Sequence, residues 1–240
     1  QLGTDIDGAA QTGYAGRAVS ISKDGNVIAV GAPLHNVTVG NNAGRVQILE
    51  YDSSSADWVQ LGDDIEGSAG FEDIGGGVSL SEDGTILATR TRHGVARVYQ
   101  YDSFFSSWRQ IGEDIDDDDG DLVAFDAYKN PLSLSDDGSR LIIGSYTNDD
   151  FDTNSGQARI YEYDSVNNIW NQLGSNIDGQ GEKEQFGRSV SISGDGSIIA
   201  VGGFNTDMNM DTFEGPDPGV VRTYQYDSSV AEWVQLGIDI

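Results

Sequence analysis

The stretch YDSSSADWVQLGDDI, residues 51–65, decides the architecture because it recurs: YDSFFSSWRQIGEDI occupies 101–115, YDSVNNIWNQLGSNI 163–177 and YDSSVAEWVQLGIDI 226–240. In every copy the aspartate of Tyr-Asp-Ser (Asp52, Asp102, Asp164, Asp227) stands six residues before the tryptophan (Trp58, Trp108, Trp170, Trp233). Upstream, Ser-(Ile/Leu)-Ser-x-Asp-Gly keeps the same phase, with its aspartate at Asp24, Asp83, Asp137 and Asp195. Successive tryptophans lie 50 to 63 residues apart, and self-similarity at such a period marks stacked supersecondary units. A further Gln-Leu-Gly opens the chain at Gln1, without a tryptophan before it.

Each unit reads as four short strands. AVSIS (18–22) alternates apolar and small polar residues, the Asp-Gly pair turns the chain, and VIAVGA (27–32) is a continuous apolar run suited to a strand covered on both faces. A loop of variable length leads to GRVQILEYD (44–52), matched by ARVYQYD, ARIYEYD and VRTYQYD, and a fixed short connection leads to a fourth strand, WVQLGDDI (58–65). Val, Ile and Tyr favour pleated, half-buried positions, and no segment carries sustained helical spacing, so helix should be nearly absent. The expected fold is all-β: a β-propeller-type array of four four-stranded blades near 16–65, 75–115, 130–177 and 187–240, forming one repeat region over 1–240 within a longer propeller. A β-solenoid also stacks repeats, but its coils are usually shorter than this period. The first three strands occur four times and the Gln-Leu-Gly strand five times. Residues 1–6 are therefore expected to be a remnant strand of a preceding repeat, lying outside the fourth blade's sheet, with the blades forming an open arc or completed by another chain.

Composition narrows the function. With 37% hydrophobic residues there is enough for a core, and 32 glycines against 4 prolines point to many tight turns. No cysteine is present, which removes disulfides, thiol nucleophiles and thiolate metal sites. A formal charge of −27 repels phosphate backbones, and no long apolar run exists, so neither nucleic acid nor membrane insertion is expected. The two histidines leave little for acid-base chemistry, and no Ser-His-acid set or phosphate loop appears, so an enzyme is not expected.

On these repeats, together with Phe186-Gly187 and Gly31-Ala32-Pro33, the units resemble the FG-GAP repeats of the integrin-α-type propeller. They resemble more closely the Trp-x-Gln-Leu-Gly-x-Asp-Ile repeat proteins of marine algae and bacteria. The resemblance covers essentially the whole chain; at the places matching Gly31-Ala32-Pro33 the other units carry Arg90-Thr91-Arg92, Gly144-Ser145-Tyr146 and Gly202-Gly203-Phe204. The integrin type often holds calcium in its first turn with the pattern Asp-x-Asp-x-Asp-Gly-x-x-Asp. Carried over, those positions are Ser20, Ser22, Asp24 and Ile28; Ser79, Ser81, Asp83 and Leu87; Ser133, Ser135, Asp137 and Leu141; Ser191, Ser193, Asp195 and Ile199. One carboxylate and two hydroxyls fall short of the six to eight oxygens calcium takes, so these read as hairpin turns and no cofactor is expected.

Length varies where a recognition surface would want it. The Asp-Gly aspartate to Tyr-Asp aspartate interval runs 28, 19, 27 and 32 residues, and Gly112 to Asp137 spans 25 where the other links span 21. In an up-and-down blade the two-to-three loops and the inter-blade links share one side, so all the variation falls on one face. The candidate binding residues there are His35, Asn36, Arg90, Arg92, His93, Asp117, Asp118, Asp119, Asp149, Asp150, Asp152 and Asp211. Arg90, Arg92 and His93 form a small basic group suited to an anion. Asp117, Asp119 and Asp121, inside the acidic insert EDIDDDDGDLVAFD (113–126), are the place for a divalent cation if one binds. Asn36 heads the sequon Asn-Val-Thr and accepts a glycan if the protein is exported. The in-phase tryptophans read as inter-blade packing. These features point to a non-catalytic binding or structural module, extracellular or at the cell surface or in an organelle lumen, that presents an acidic variable face to a protein or glycan. The alternative is a fixed propeller subunit of a larger assembly.

Overall fold

The computed structural model describes residues 1–8, 13–116, 131–204 and 219–240. No helix occurs among them. The strands form four antiparallel up-and-down sheets. The first contains β1 (Ala18–Ile21), β2 (Val27–Ala32), β3 (Arg45–Asp52) and β4 (Asp57–Gln60), with β5 (Ile65–Glu66) pairing back on β3. The second contains β6 (Gly77–Leu80), β7 (Ile86–Arg90), β8 (Ala96–Asp102) and β9 (Ser107–Gln110). The third contains β10 (Leu132–Leu134), β11 (Arg140–Ser145), β12 (Gln157–Asp164) and β13 (Ile169–Gln172), with β14 (Ile177–Asp178) pairing on β12. The fourth contains β15 (Ser189–Ile192), β16 (Ile198–Gly203), β17 (Val220–Asp227) and β18 (Glu232–Leu236). Inner strand follows inner strand, β1 against β6, β6 against β10 and β10 against β15, so the sheets stack as propeller blades.

The Asp-Gly turns form as their residues dictate. Gly25, Gly84, Gly138 and Gly196 all take positive φ, and Asp24, Asp83, Asp137 and Asp195 each accept the hydroxyl of the serine two residues before and the amide two residues after. The fourth strand is shorter than expected. Pairing stops at Gln60, Gln110 and Gln172 in the first three blades, because the following glycine takes positive φ and breaks the ladder; Ile65, Ile115 and Ile177 then return to pair with Val46, Ala96 and Ala158. The reading of WVQLGDDI as one strand is thereby corrected.

That break positions the tryptophan of the next blade. The indole Nε1 of Trp108, Trp170 and Trp233 donates to the carbonyl of Leu61, Ile111 and Leu173 at 2.8, 3.1 and 2.8 Å. A Cβ on Gly62, Gly112 or Gly174 would strike the same indole, so only glycine lets the pyrrole edge of the ring come this close to the backbone. Trp58 repeats the contact with the N-terminal segment, donating to the Leu2 carbonyl at 3.1 Å while the Thr4 amide donates to Asp57. Residues 1–4 therefore sit on the first blade and outside the fourth blade's sheet, but residues 1–8 form no strand, which corrects the expectation of a strand over 1–6.

The core lies between blades. One cluster joins Val27, Ala29, Val46, Ile48, Ile65 and Ile74 of the first blade and first link to Leu80 and Leu87 of the second; two further clusters repeat this at the next joints. In the middle blades the second strand is covered on both faces by its neighbours. In the first blade Ile28 and Val30 are only half-buried, and in the fourth Ile198 and Val221 are exposed, so each end blade keeps one open face.

Candidate recognition face

The two-to-three loops of the first and third blades lie on one side with the links that follow those blades, because loop and link pair with each other. Asn41, Asn42 and Ala43 carbonyls accept the amides of Phe71, Asp73 and Ile74, and Thr153, Asn154 and Ser155 carbonyls accept those of Lys183, Gln185 and Phe186. Gly44 and Gly156 form parallel bridges with Ile74 and Phe186 so close that a Cβ there would lie 2.3 and 2.2 Å from a carbonyl oxygen. The loops are thus tied down by backbone bonds, which leaves their tips free to vary in sequence.

A pair of glutamates fixes the links. Glu72 accepts the amides of Ser68 and Ala69 and forms an ion pair with Arg97 at 2.6 Å; Glu184 accepts those of Gln180 and Gly181 and pairs with Arg222. Arg97 and Arg222 complete the bracket on Asp114 and Asp239, both at 2.9 Å. The sequence reading missed Glu72 and Glu184. Their signal was present: each stands two residues before the apolar-Gly pair of its link, Ile74-Gly75 and Phe186-Gly187.

The expected site residues separate into anchors and exposed groups. His35 is partly buried, burial pushes its pKa down with Arg45 adding to the effect, and its carbonyl accepts the Gly44 amide. Asn36 is exposed, and its side-chain oxygen accepts the Asn42 amide at 2.9 Å, stiffening the loop. Asp149, Asp150 and Asp152 are all exposed. Asp149 caps the Asn154 amide, Asp152 caps the Thr153 amide, and Asp150 accepts from Gln157 and faces Arg159 at 3.8 Å.

The basic group does not assemble. Arg90 is buried, donating to the Gly94 carbonyl and, across the joint, to the Gly144 carbonyl and Ser145 hydroxyl; its place on a binding surface is corrected to that of a cross-blade tie. Arg92 lies 3.7 Å from Asp73, whose carboxyl is almost wholly buried; burial raises its pKa against the opposing pull of Arg92 and His93. Of the three, His93 alone is exposed. Asp117, Asp118, Asp119, Asp121 and Asp211 lie outside the described residues. Among the described residues no group of three or more His, Asp or Glu side chains converges as metal ligands. Nor is any described helix long and apolar enough to cross a membrane.

No protein-family model matches the sequence, and no curated protein is similar to it. Among solved structures, the chain is similar to two proteins described as 6-phosphogluconolactonases. The one from Bacteroides uniformis is 15% identical, with a TM-score of 0.59 over 93% of this chain and 54% of that one; the one from Bacteroides fragilis is 13% identical, with a TM-score of 0.57 over 92% and 53%. A complex of KlAtg21 with the coiled-coil of AgAtg16 matches at 13% identity and a TM-score of 0.57 over 92% of this chain and 56% of that one. The chain thus spans about half the length of these structures, and at such identities the likeness is one of fold. The molecule is a propeller-type array of four stacked four-stranded blades.

Proposed function

We propose that the chain is an exported, non-catalytic binding module of the FG-GAP, integrin-α-like kind, whose acidic loop face takes a protein or glycan partner. The observation that carries this reading is the division of labour on that face: the backbone ties loop to link, while Asn36, His93, Asp149, Asp150 and Asp152 differ from unit to unit. A rigid frame with exposed, variable tips loses little entropy on binding, which is what a recognition surface requires. The net charge of −27 favours a partner with a cationic surface and makes the encounter salt-sensitive. The test is binding to immobilised cationic protein domains and to a glycan array, comparing the native chain with Asp149→Asn/Asp152→Asn. Asparagine keeps the oxygen that caps each loop amide, so the fold is preserved. Loss of a native binding signal in the double variant, at unchanged melting temperature, supports the reading; a signal that survives it places recognition elsewhere.

A further inference from the structure

We propose that the open faces of the first and fourth blades are two halves of one joint, and that a second copy of this chain seats its first blade on the fourth blade, head to tail. The template is the joint the chain already makes three times. In each, the residue before the turn aspartate passes its amide to the carbonyl of its counterpart one blade on: Lys23 to Glu82, Glu82 to Asp136 and Asp136 to Gly194, at 2.9, 2.8 and 2.9 Å. The series begins at Lys23 and ends at Gly194, so the Gly194 amide and the Lys23 carbonyl are complementary. The turn glycine of each following blade also lies over the head of the preceding second strand: a Cβ on Gly84, Gly138 or Gly196 would fall 2.7, 2.6 or 2.7 Å from Val27, Ile86 or Arg140. Ile198 is the fourth member of that set and is exposed, while around Gly25 only its own Ile21 comes within 4.0 Å.

The apolar surfaces tell the same story by comparison within the chain. Ile240 pairs with Val221 just as Ile65 pairs with Val46, yet it is 83% exposed where Ile65, Ile115 and Ile177 are 6, 6 and 7%. On the first blade Ile21 is 60% exposed where Leu80, Leu134 and Ile192 are 8, 6 and 8%. Ile6, Val19, Ile21, Ile28 and Val30 line an open recess of about 470 Å³ there. Each end presents what the other covers at an internal joint, and exposed apolar faces and unpaired edges of this kind favour association. One competition is built in. The indole seat at Leu236 and Gly237 has nothing within 4 Å of the glycine, but the second copy's Trp58 already rests on its own Leu2 and Gly3. Residues 1–3 of the second copy must yield to residues 235–237 of the first for the joint to close fully.

Sedimentation of the full chain over a range of concentrations tests this. Because both copies carry −27 and the joint is apolar, association should strengthen with salt. Ile198→Arg and Ile21→Arg, both at exposed positions, should each be monomeric with an unchanged circular dichroism spectrum. An equimolar mixture should restore a dimer and nothing larger, since one native joint remains between them. Gly3→Val, whose side chain cannot lie under Trp58, should raise the association constant severalfold. A native chain that stays monomeric overturns the proposal. So does a mixture that fails to pair, loss of association in Ile198→Arg alone, or a Gly3→Val chain that associates no better than native. The joint does not use the loop face, so any of these results leaves the recognition reading standing.

Discussion

Replacing Trp108 by alanine removes the side chain that seals the first joint, and its cost can be built from the contacts. The ring is half-buried against the apolar cluster of the first joint, and partial burial of an aromatic side chain contributes about 1–1.5 kcal/mol. The indole donates to the Leu61 carbonyl at 2.8 Å, a bond worth about 1 kcal/mol net. Its ring lies 5.3 Å from that of Tyr101, adding roughly 0.5–1 kcal/mol. The sum is about 3 kcal/mol, at the lower end of aromatic truncations because the ring is not fully buried, and it lowers Tm by about 6–12 °C in a chain of this size. Trp58→Ala loses a similar ring but releases only residues 1–4, since no described blade lies on the far side of that contact. It should cost no more than about half as much. Urea unfolding followed by far-ultraviolet circular dichroism measures both. A Trp108→Ala cost below about 0.5 kcal/mol, or equal costs for the two variants, refutes the view that these tryptophans hold blade to blade.

Two further outcomes follow from the turns. Gly112 and Gly237 share φ of +72° and +73°, but an added Cβ meets Trp170 at 2.5 Å in the first and nothing within 4 Å in the second. Gly237→Ala should then cost about 1 kcal/mol of left-handed strain, and Gly112→Ala at least about 1 kcal/mol more by thermal melting. Acid should weaken the fold through the turn aspartates. The Ser193 hydroxyl, with the Ser197 amide and hydroxyl, holds Asp195 at about 2, and the Asn26 amide and Ser22 hydroxyl hold Asp24 down. In Asp83 and Asp137 partial burial works upward but is outweighed by the Thr85 and Ser139 amides and the serine hydroxyls. Folded values below the unfolded 3.8 mean that the unfolded chain binds more protons, so this stability is present above that pH and is lost as pH falls toward about 2. Urea midpoints measured down that range should decline, and less steeply for Asp195→Asn; a steeper decline in the variant contradicts the assignment.

The fold was legible because its signals are repeated and local. Val27–Ala32 and Ile198–Gly203 are apolar on both faces, the Asp-Gly pair fixes the turn, and Trp58 with its three copies keeps the blades in phase. The end of the fourth strand was less legible: Gln-Leu-Gly-x-Asp-Ile looks continuous, and only the positive φ of Gly62 and its counterparts breaks it. The face was legible from loop lengths, but the role of single residues on it was not. Arg90 reads as a surface charge, yet its partners lie more than fifty residues away on Gly144 and Ser145, a contact set by blade stacking. Glu72 and Glu184 were overlooked among 40 acidic residues because composition hides a carboxylate whose importance lies in the amides it caps.

The central claim, four blades stacked in an open arc with bare end faces, is tested most directly by thiol labelling in dilute solution. The chain has no cysteine, so each introduced thiol reports alone. Ile21→Cys and Ile240→Cys should label at the rate of a free thiol. Their internal counterparts, Leu134→Cys and Ile177→Cys, should be protected until the fold opens. Equal protection at all four positions would contradict the account, because it would mean that the first and fourth blades cover each other in a closed ring.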